Sequence, residues 1–247
     1  MLQFETAVLS DIGKTRDHQE DAFLVDDDHR LYVVADGMGG HLAGEVASQI
    51  IIETLQAAAA GLNSPMAVSQ NASLSPAGNL IAAWIRDANR RVFEQSQSQE
   101  QCRGMGSTIA VLYFTDTSVV VSNVGDSPMY LLRDGNIELI SALHTVASEQ
   151  PGYLQDLNVL PKQFQHMLTR AVGTNNDVQP YIRELTYCAG DSYIICSDGL
   201  SNAIEPEEML TLVQQYSAHD ACRRLIDLTN TRGGDDNSTV IVIKVQN

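Results

Sequence analysis

The sequence predicts an α+β fold in which antiparallel sheets carry two pairs of helices on their faces. Three observations carry that expectation. Short apolar runs follow one another across tight turns such as Asp134-Gly135-Asn136, and short turns join antiparallel strands. Two long segments, 43–60 and 80–92, instead repeat their apolar residues with a helical period. No linker or internal repeat divides the 247 residues, so one domain is expected over 1–247.

Taken in order, residues 4–9 read as a first strand and 22–25 as a second. Between them lies the polar loop Asp11-Ile12-Gly13-Lys14-Thr15-Arg16-Asp17-His18-Gln19-Glu20-Asp21. Its arginine precedes two adjacent acids by four and five residues, which can set a bidentate anion binder beside a cation site. The plainer reading is a charged surface loop. His29, in the acidic turn after Asp26-Asp27-Asp28, reads as solvated. The apolar run from Leu31 then ends in Val33-Val34-Ala35-Asp36-Gly37-Met38-Gly39-Gly40-His41. It reads as a buried strand that delivers Asp36 where the chain leaves the core. The glycines let the backbone turn sharply and approach an ion closely, with the Gly37 carbonyl free as a ligand. Oxygen donors of this kind suit hard cations such as Mg²⁺ and Mn²⁺. Taken alone, Asp-Gly is a common turn.

The helix over 43–60 has an apolar stripe of Val46, Ile50, Ile51, Leu55 and Ala58. Residues 61–76 read as a polar loop. A second helix follows from Leu80, Trp84, Ala88 and Val92, with Trp84 in the core and a solvated tail over 94–101. Hairpins are expected for 107–114 with 118–124, 128–133 with 137–140, and 182–187 with 192–197 about Ala189-Gly190-Asp191. The stretch 141–173 has little periodicity and holds Pro151-Gly152 and Pro161, so it reads as a flap-like insertion. Pro206-Glu207-Glu208 opens a helix in the favoured way. Another runs through Ala221, Leu225 and Leu228 until Gly233-Gly234, and 239–245 is the last strand. Aspartates recur at the ends of apolar runs: Asp126, Asp198 and Asp236 join Asp36.

With 44% hydrophobic residues, a core of good size needs no disulfide staples. The net charge of −16 argues against nucleic acid and against anionic membrane surfaces, and suits carboxylates gathered around cations. Cys102, Cys188, Cys196 and Cys222 form no Cys-x-x-Cys pair and read as thiols of a reducing compartment. No leader pattern opens the chain and no apolar run approaches 18 residues. A cytoplasmic protein is expected, taken as a monomer.

Six motifs stand in order: Arg16 with Glu20-Asp21, Asp36-Gly37-Met38-Gly39-Gly40-His41, Gly106-Ser107-Thr108, Val124-Gly125-Asp126-Ser127, Cys196-Ser197-Asp198-Gly199-Leu200 and Gly234-Asp235-Asp236-Asn237-Ser238-Thr239. Each is weak alone. As an ordered set they resemble the bacterial metal-dependent type-2C (PPM-type) protein serine/threonine phosphatases, from about Phe4 to Val245. The resemblance implies a sandwich of two antiparallel β-sheets flanked by pairs of helices, with two tightly bound Mg²⁺ or Mn²⁺ ions at one sheet end. It implies that Asp36 bridges both ions, that the Gly37 carbonyl binds the second, and that Asp198 and Asp236 bind the first. Glu20 and Asp21 would hold ion-bound waters or ligate directly, and Asp126 with Asp198 would hold a third, weaker ion. Arg16 matches the arginine that grips substrate phosphate, and Asn237 is placed to orient Asp236. A water shared by two such ions about 4 Å apart loses its proton readily and can attack phosphorus in line. The implied substrates are phosphorylated proteins, with a cognate Ser/Thr kinase as the opposing partner.

Departures are local. Met38 stands where eukaryotic relatives usually have a histidine proposed as general acid; His41 is the nearest substitute, with a structural role or protonation by water as alternatives. Gln19, Pro128 and Leu143 replace a usual asparagine, arginine and aspartate, and the last two bear on substrate recognition and the flap. Two other readings remain to be separated by experiment: a metal-binding module without catalysis, and a nucleotide or small-molecule phosphoesterase. The complete set of carboxylates favours an enzyme.

Overall fold

The computed structural model describes residues 2–39, 43–61, 71–149 and 167–247. Its layering follows from which face each strand residue takes. Along β3 (Leu31–Met38), Leu31, Val33 and Ala35 point into one apolar cluster while Tyr32 and Val34 point into another. β5 (Ile109–Phe114) divides in the same way, as does β6 (Val119–Val124). In β10 (Ser192–Cys196) and β11 (Ser238–Gln246), Tyr193, Ile195, Ile241 and Ile243 share the second cluster. Their neighbours Ile194, Cys196, Val240 and Val242 enter a third. Strands buried on both faces become continuous apolar runs, although every pairing is antiparallel.

One sheet has the order β1 (Gln3–Asp11), β11, β10, β7 (Met129–Arg133), β8 (Asn136–Leu139). The other has the order β2 (Asp21–Asp26), β3, β5, β6, β9 (Tyr181–Leu185), with the short β4 (Gly106–Ser107) also on β3. The second cluster fills the space between the sheets. Helices α1 (Ala43–Ala59) and α2 (Pro76–Ser98) cover the outer face of the second sheet. Single turns form at α3 (Val146–Glu149) and α4 (Asp198–Ser201). Helices α5 (Pro206–Gln215) and α6 (Ala218–Thr231) cover the outer face of the first sheet. This is the expected α+β sandwich.

The helix starts follow their sequence signals. Ser75 accepts from the Gly78 amide at 3.0 Å ahead of Pro76, and Ser217 accepts from the Asp220 amide at 3.2 Å. Among the described residues no helix is long and apolar enough to cross a membrane.

Two expectations need correction. The tail 94–101 is not simply solvated: α2 runs to Ser98 with Ser96 buried, and a 3₁₀ turn then buries Cys102. The hairpin of 182–187 with 192–197 does not form. β9 pairs with β6 and β10 pairs with β11 and β7, so the chain changes sheet between them. The reason is Asp191. It is 1% exposed and accepts from Arg133 Nε and Nη2 at 2.7 Å each and from the Cys188 amide at 2.9 Å. Those bonds make a corner where a hairpin turn was expected. Of the expected insertion, 150–166 lies outside the described residues; its two ends are bridged to each other at Thr145 and Leu168, and the second end is tied to the sandwich by the bridge of Ser107 to Val172.

Candidate active site

The antiparallel ladders bring the recurring aspartates to one end of the sandwich. Asp21, at the start of β2, faces Asp36, near the end of β3. Ser238 opens β11 opposite Asp11, so Asp236 lies beside the β1–β2 loop. Asp198 follows the end of β10, and Asp126 lies between β6 and β7. A cavity of about 600 Å³ opens there, with Asp36, Asp126, Asp198, Asp236, Glu20 and Arg16 among its lining residues. Sequence reasoning named all six. Asp21 lies beneath them, 7% exposed. His41 lies outside the described residues.

The support beneath the carboxylates is a set of small hydroxyls. Asp21 Oδ2 accepts from Ser197 Oγ at 2.8 Å and from Thr239 Oγ1 at 2.7 Å. The Asp36 amide donates to Thr108 Oγ1 at 3.1 Å, while its carbonyl accepts from the Thr108 amide at 2.8 Å and from Ser107 Oγ at 2.9 Å. Thr108 Oγ1 and Ser127 Oγ are 2.6 Å apart. Sequence reasoning assigned none of these hydroxyls a place in the site. Their signal was adjacency: Ser197 precedes Asp198, Ser127 follows Asp126, and Thr239 stands three after Asp236.

Glu20 is fixed through its backbone. Its amide donates to Asn237 Oδ1 at 2.8 Å, and its carbonyl accepts from the Gly37 amide at 3.1 Å and from Ser48 Oγ at 2.6 Å. The Asn237 side chain also donates to the carbonyls of Ile12 and His18, at 2.9 and 3.0 Å, pinning the loop that carries Arg16. It is the Asn237 backbone amide that donates to Asp236 Oδ1, at 2.8 Å. Arg16 Nη2 donates to Asp236 Oδ2 at 2.7 Å.

Burial beside like charges raises the pKa of a carboxyl. Burial, then the charges of Asp21, Asp198, Asp236 and Asp126, pushes the Asp36 carboxyl well above the ordinary range. Burial pushes Asp21 up to about 7, against the pull of its Thr239 and Ser197 hydrogen bonds. Asp126 is also pushed to about 7, by burial and then by Asp198. Glu20 is raised by burial, with the Arg16 guanidinium opposing.

Glu20 Oε1 and Asp21 Oδ1 are buried without a hydrogen-bond partner. Unsatisfied buried oxygens beside several like charges call for a hard cation, and an all-oxygen donor set fits Mg²⁺ or Mn²⁺. Among the described residues no three His, Cys, Asp or Glu side chains are closed around one point as a finished ion cage. The fit therefore rests on donor chemistry and on those two oxygens.

Residues 14–232 match the family model described as protein phosphatase 2C. The chain belongs to that family. It is 35% identical over 246 residues to the serine/threonine protein phosphatase PstP of Mycobacterium tuberculosis, covering 97% of this chain and 44% of that protein. The chain thus spans less than half the length of that relative. A putative protein phosphatase 2C-type of Streptococcus pyogenes is 28% identical over 240 residues, covering 95% of this chain and 94% of the other. In structure, the chain superposes on the catalytic domain of PstP in complex with two manganese ions, with a TM-score of 0.84, 32% identity and full coverage of both chains. Among the described residues, one cation besides Arg16 stands on the wall of the acidic cavity. Arg170 lines the cavity, pairs with Glu149 at 2.8 Å and lies 3.4 Å from His144 Nε2.

Proposed function

We propose that this chain is a metal-dependent protein phosphatase that hydrolyses phosphoserine and phosphothreonine in proteins, opposing a Ser/Thr kinase in the cytoplasm. The observation that carries this reading is the convergence of Asp36, Asp126, Asp198, Asp236 and Glu20 on one cavity above Asp21 in a protein phosphatase 2C chain. Four thiols without disulfides agree with a reducing compartment.

Asp36, the Gly37 carbonyl, Asp198 and Asp236 would hold two ions, with Glu20 and Asp21 adjoining and Asp126 serving a third. Mg²⁺ or Mn²⁺ bound there would make a bridging water acidic enough to attack phosphorus at neutral pH and would screen the phosphoryl oxygens. Arg16 then has one task. Its exposed guanidinium can exchange the single Asp236 oxygen for a bidentate grip on phosphate, holding the ester over the carboxylates. Asn237 keeps Arg16 and Glu20 in register by fastening their loop to β11. The hydroxyls of Ser197 and Thr239 hold Asp21 in one rotamer, so the acidic floor keeps its shape when charge on it changes. No side chain is required to form a covalent phosphoenzyme.

The decisive assay is phosphate release from a phosphothreonine peptide with Mn²⁺ and then with EDTA. Release that stops with EDTA is expected; release indifferent to EDTA would sink the metal-dependent reading.

A further inference from the structure

Met167 is 49% exposed. A single apolar side chain on a surface is ordinary. Met167 is distinguished by its place: it lines the cavity that holds Asp36, Asp198 and Asp236, together with Leu168, Ala171 and Met38. The cavity therefore has an apolar stretch beside its acidic floor.

That stretch is firmly seated. The Val146 amide donates to the Met167 carbonyl at 2.9 Å, and the Thr169 amide donates to the His144 carbonyl at 2.9 Å. His144 is 3% exposed, and its Nδ1 accepts from the Gly125 amide at 3.1 Å, next to Asp126. The backbone under Met167 is thus continuous by hydrogen bonds with the loop carrying Asp126. Met38 is seated through its backbone, paired with Gly106 where β3 meets β4.

We propose that Met167, with Leu168 beside it, is a specificity-determining residue that receives an apolar side chain immediately next to the phosphorylated residue of the substrate. The proposal rests on the phosphatase reading above. Phosphate held at the acidic floor leaves the adjoining residue one chain step away, about 3.5 Å of backbone, which is within reach of the cavity rim. A half-exposed thioether on a fixed backbone gains by covering its apolar surface, and its flexible side chain adapts to Leu, Ile, Val or Met.

The test uses two phosphothreonine peptides, flanked on both sides by Leu or by Gly, with p-nitrophenyl phosphate as a substrate without flanks. All are assayed with Mn²⁺ on the whole chain. Wild type should favour the Leu-flanked peptide about tenfold in kcat/KM, the low end for a single methylene in a closed apolar pocket, as suits a contact that stays half-open. The preference should sit in KM, as expected for contacts equal in ground and transition states. Met167→Ala should bring the ratio of the two peptides to within about twofold, and Met167→Leu should keep most of it. A wild type with no preference, or a Met167→Ala variant that retains it in full, overturns the proposal. Turnover of p-nitrophenyl phosphate with equal peptide rates removes only the role of Met167. Silence on all three substrates removes the phosphatase reading, and this inference with it.

Discussion

A Cβ on Gly37 would stand 2.1 Å from the carbonyl oxygen of Gly44 and 2.7 Å from that of Glu20. The end of β3 and the first turn of α1 touch backbone to backbone, and no side chain fits between them. Gly199 is alike, with a Cβ there 2.1 Å from the Asn237 carbonyl oxygen. Gly37→Ala and Gly199→Ala should each lower stability by about 3 kcal/mol or more, since the clash is with backbone rather than with a mobile side chain. Gly135→Ala serves as the comparison. Its Cβ meets nothing within 4 Å, and its φ of +78° should cost only about 1 kcal/mol. Denaturant melts of the three variants check this. Equal losses would mean that the contact at Gly37 relaxes.

Asp36→Asn should separate activity from stability. Phosphate release should vanish, because the variant removes a charge from the centre of the carboxylate set. In EDTA at pH 8 the same variant should melt higher than wild type, because Asp36 is half-buried among like charges. Thermal melts with EDTA and with Mn²⁺ give the readout. A variant less stable than wild type under both conditions would argue that repulsion at Asp36 is small.

The pH dependence has a definite sign. Asp21 and Asp126 have folded-state pKa values of about 7, raised from 3.8. Between those values the folded chain keeps protons that the unfolded chain has released. Their contribution to stability is fully present below about pH 4, falls as the pH rises to 7, and is lost above it. In EDTA the melting temperature should decline from pH 5 to pH 8, and Mn²⁺ at pH 8 should restore it. A metal-free melting temperature that climbs steadily across this range would contradict the raised pKa values.

The corner at Asp191 should matter for folding and not for chemistry. Burial alone would raise its carboxyl, but the hydrogen bonds from Arg133 and Cys188 and the Arg133 charge together outweigh it and hold the pKa below the ordinary value. Asp191→Ala should cost about 2 kcal/mol, less than a fully buried pair because Arg133 is partly exposed. Asp198 lies beyond the opposite end of β10, so phosphate release per folded molecule should change less than twofold. Stability and kcat measured on one preparation decide it; a large fall in kcat with intact folding would tie the corner to the site.

Much of this arrangement was legible beforehand because it is local. Helical periodicity marked α1, α2 and α6, and a turn at Asp134-Gly135-Asn136 marked the β7–β8 hairpin. Asp36 and Asp198 were legible as acids ending apolar runs, a pattern carried by neighbours in sequence. The β9–β10 hairpin was misread because β10, buried on both faces, lacks the alternation that would say which sheet it joins. Nothing local announces that Asp191 will meet Arg133, 58 residues away.

The Asp-Gly pairs make the same division. Sequence alone determined that Asp36 and Asp198 would each stand at a strand end followed by glycine, because an apolar run and a small residue are properties of a short stretch. Only the tertiary structure decided why glycine is needed: the Gly44 and Asn237 carbonyls, from other elements, occupy the space a Cβ would take. It likewise decided that Asp21 faces Asp36, that Ser197 and Thr239 hold Asp21, and that Arg16 reaches Asp236 across 220 residues. Those relations depend on strand register and on the packing of two sheets. Burial and hydrogen bonding between segments far apart in the chain set both.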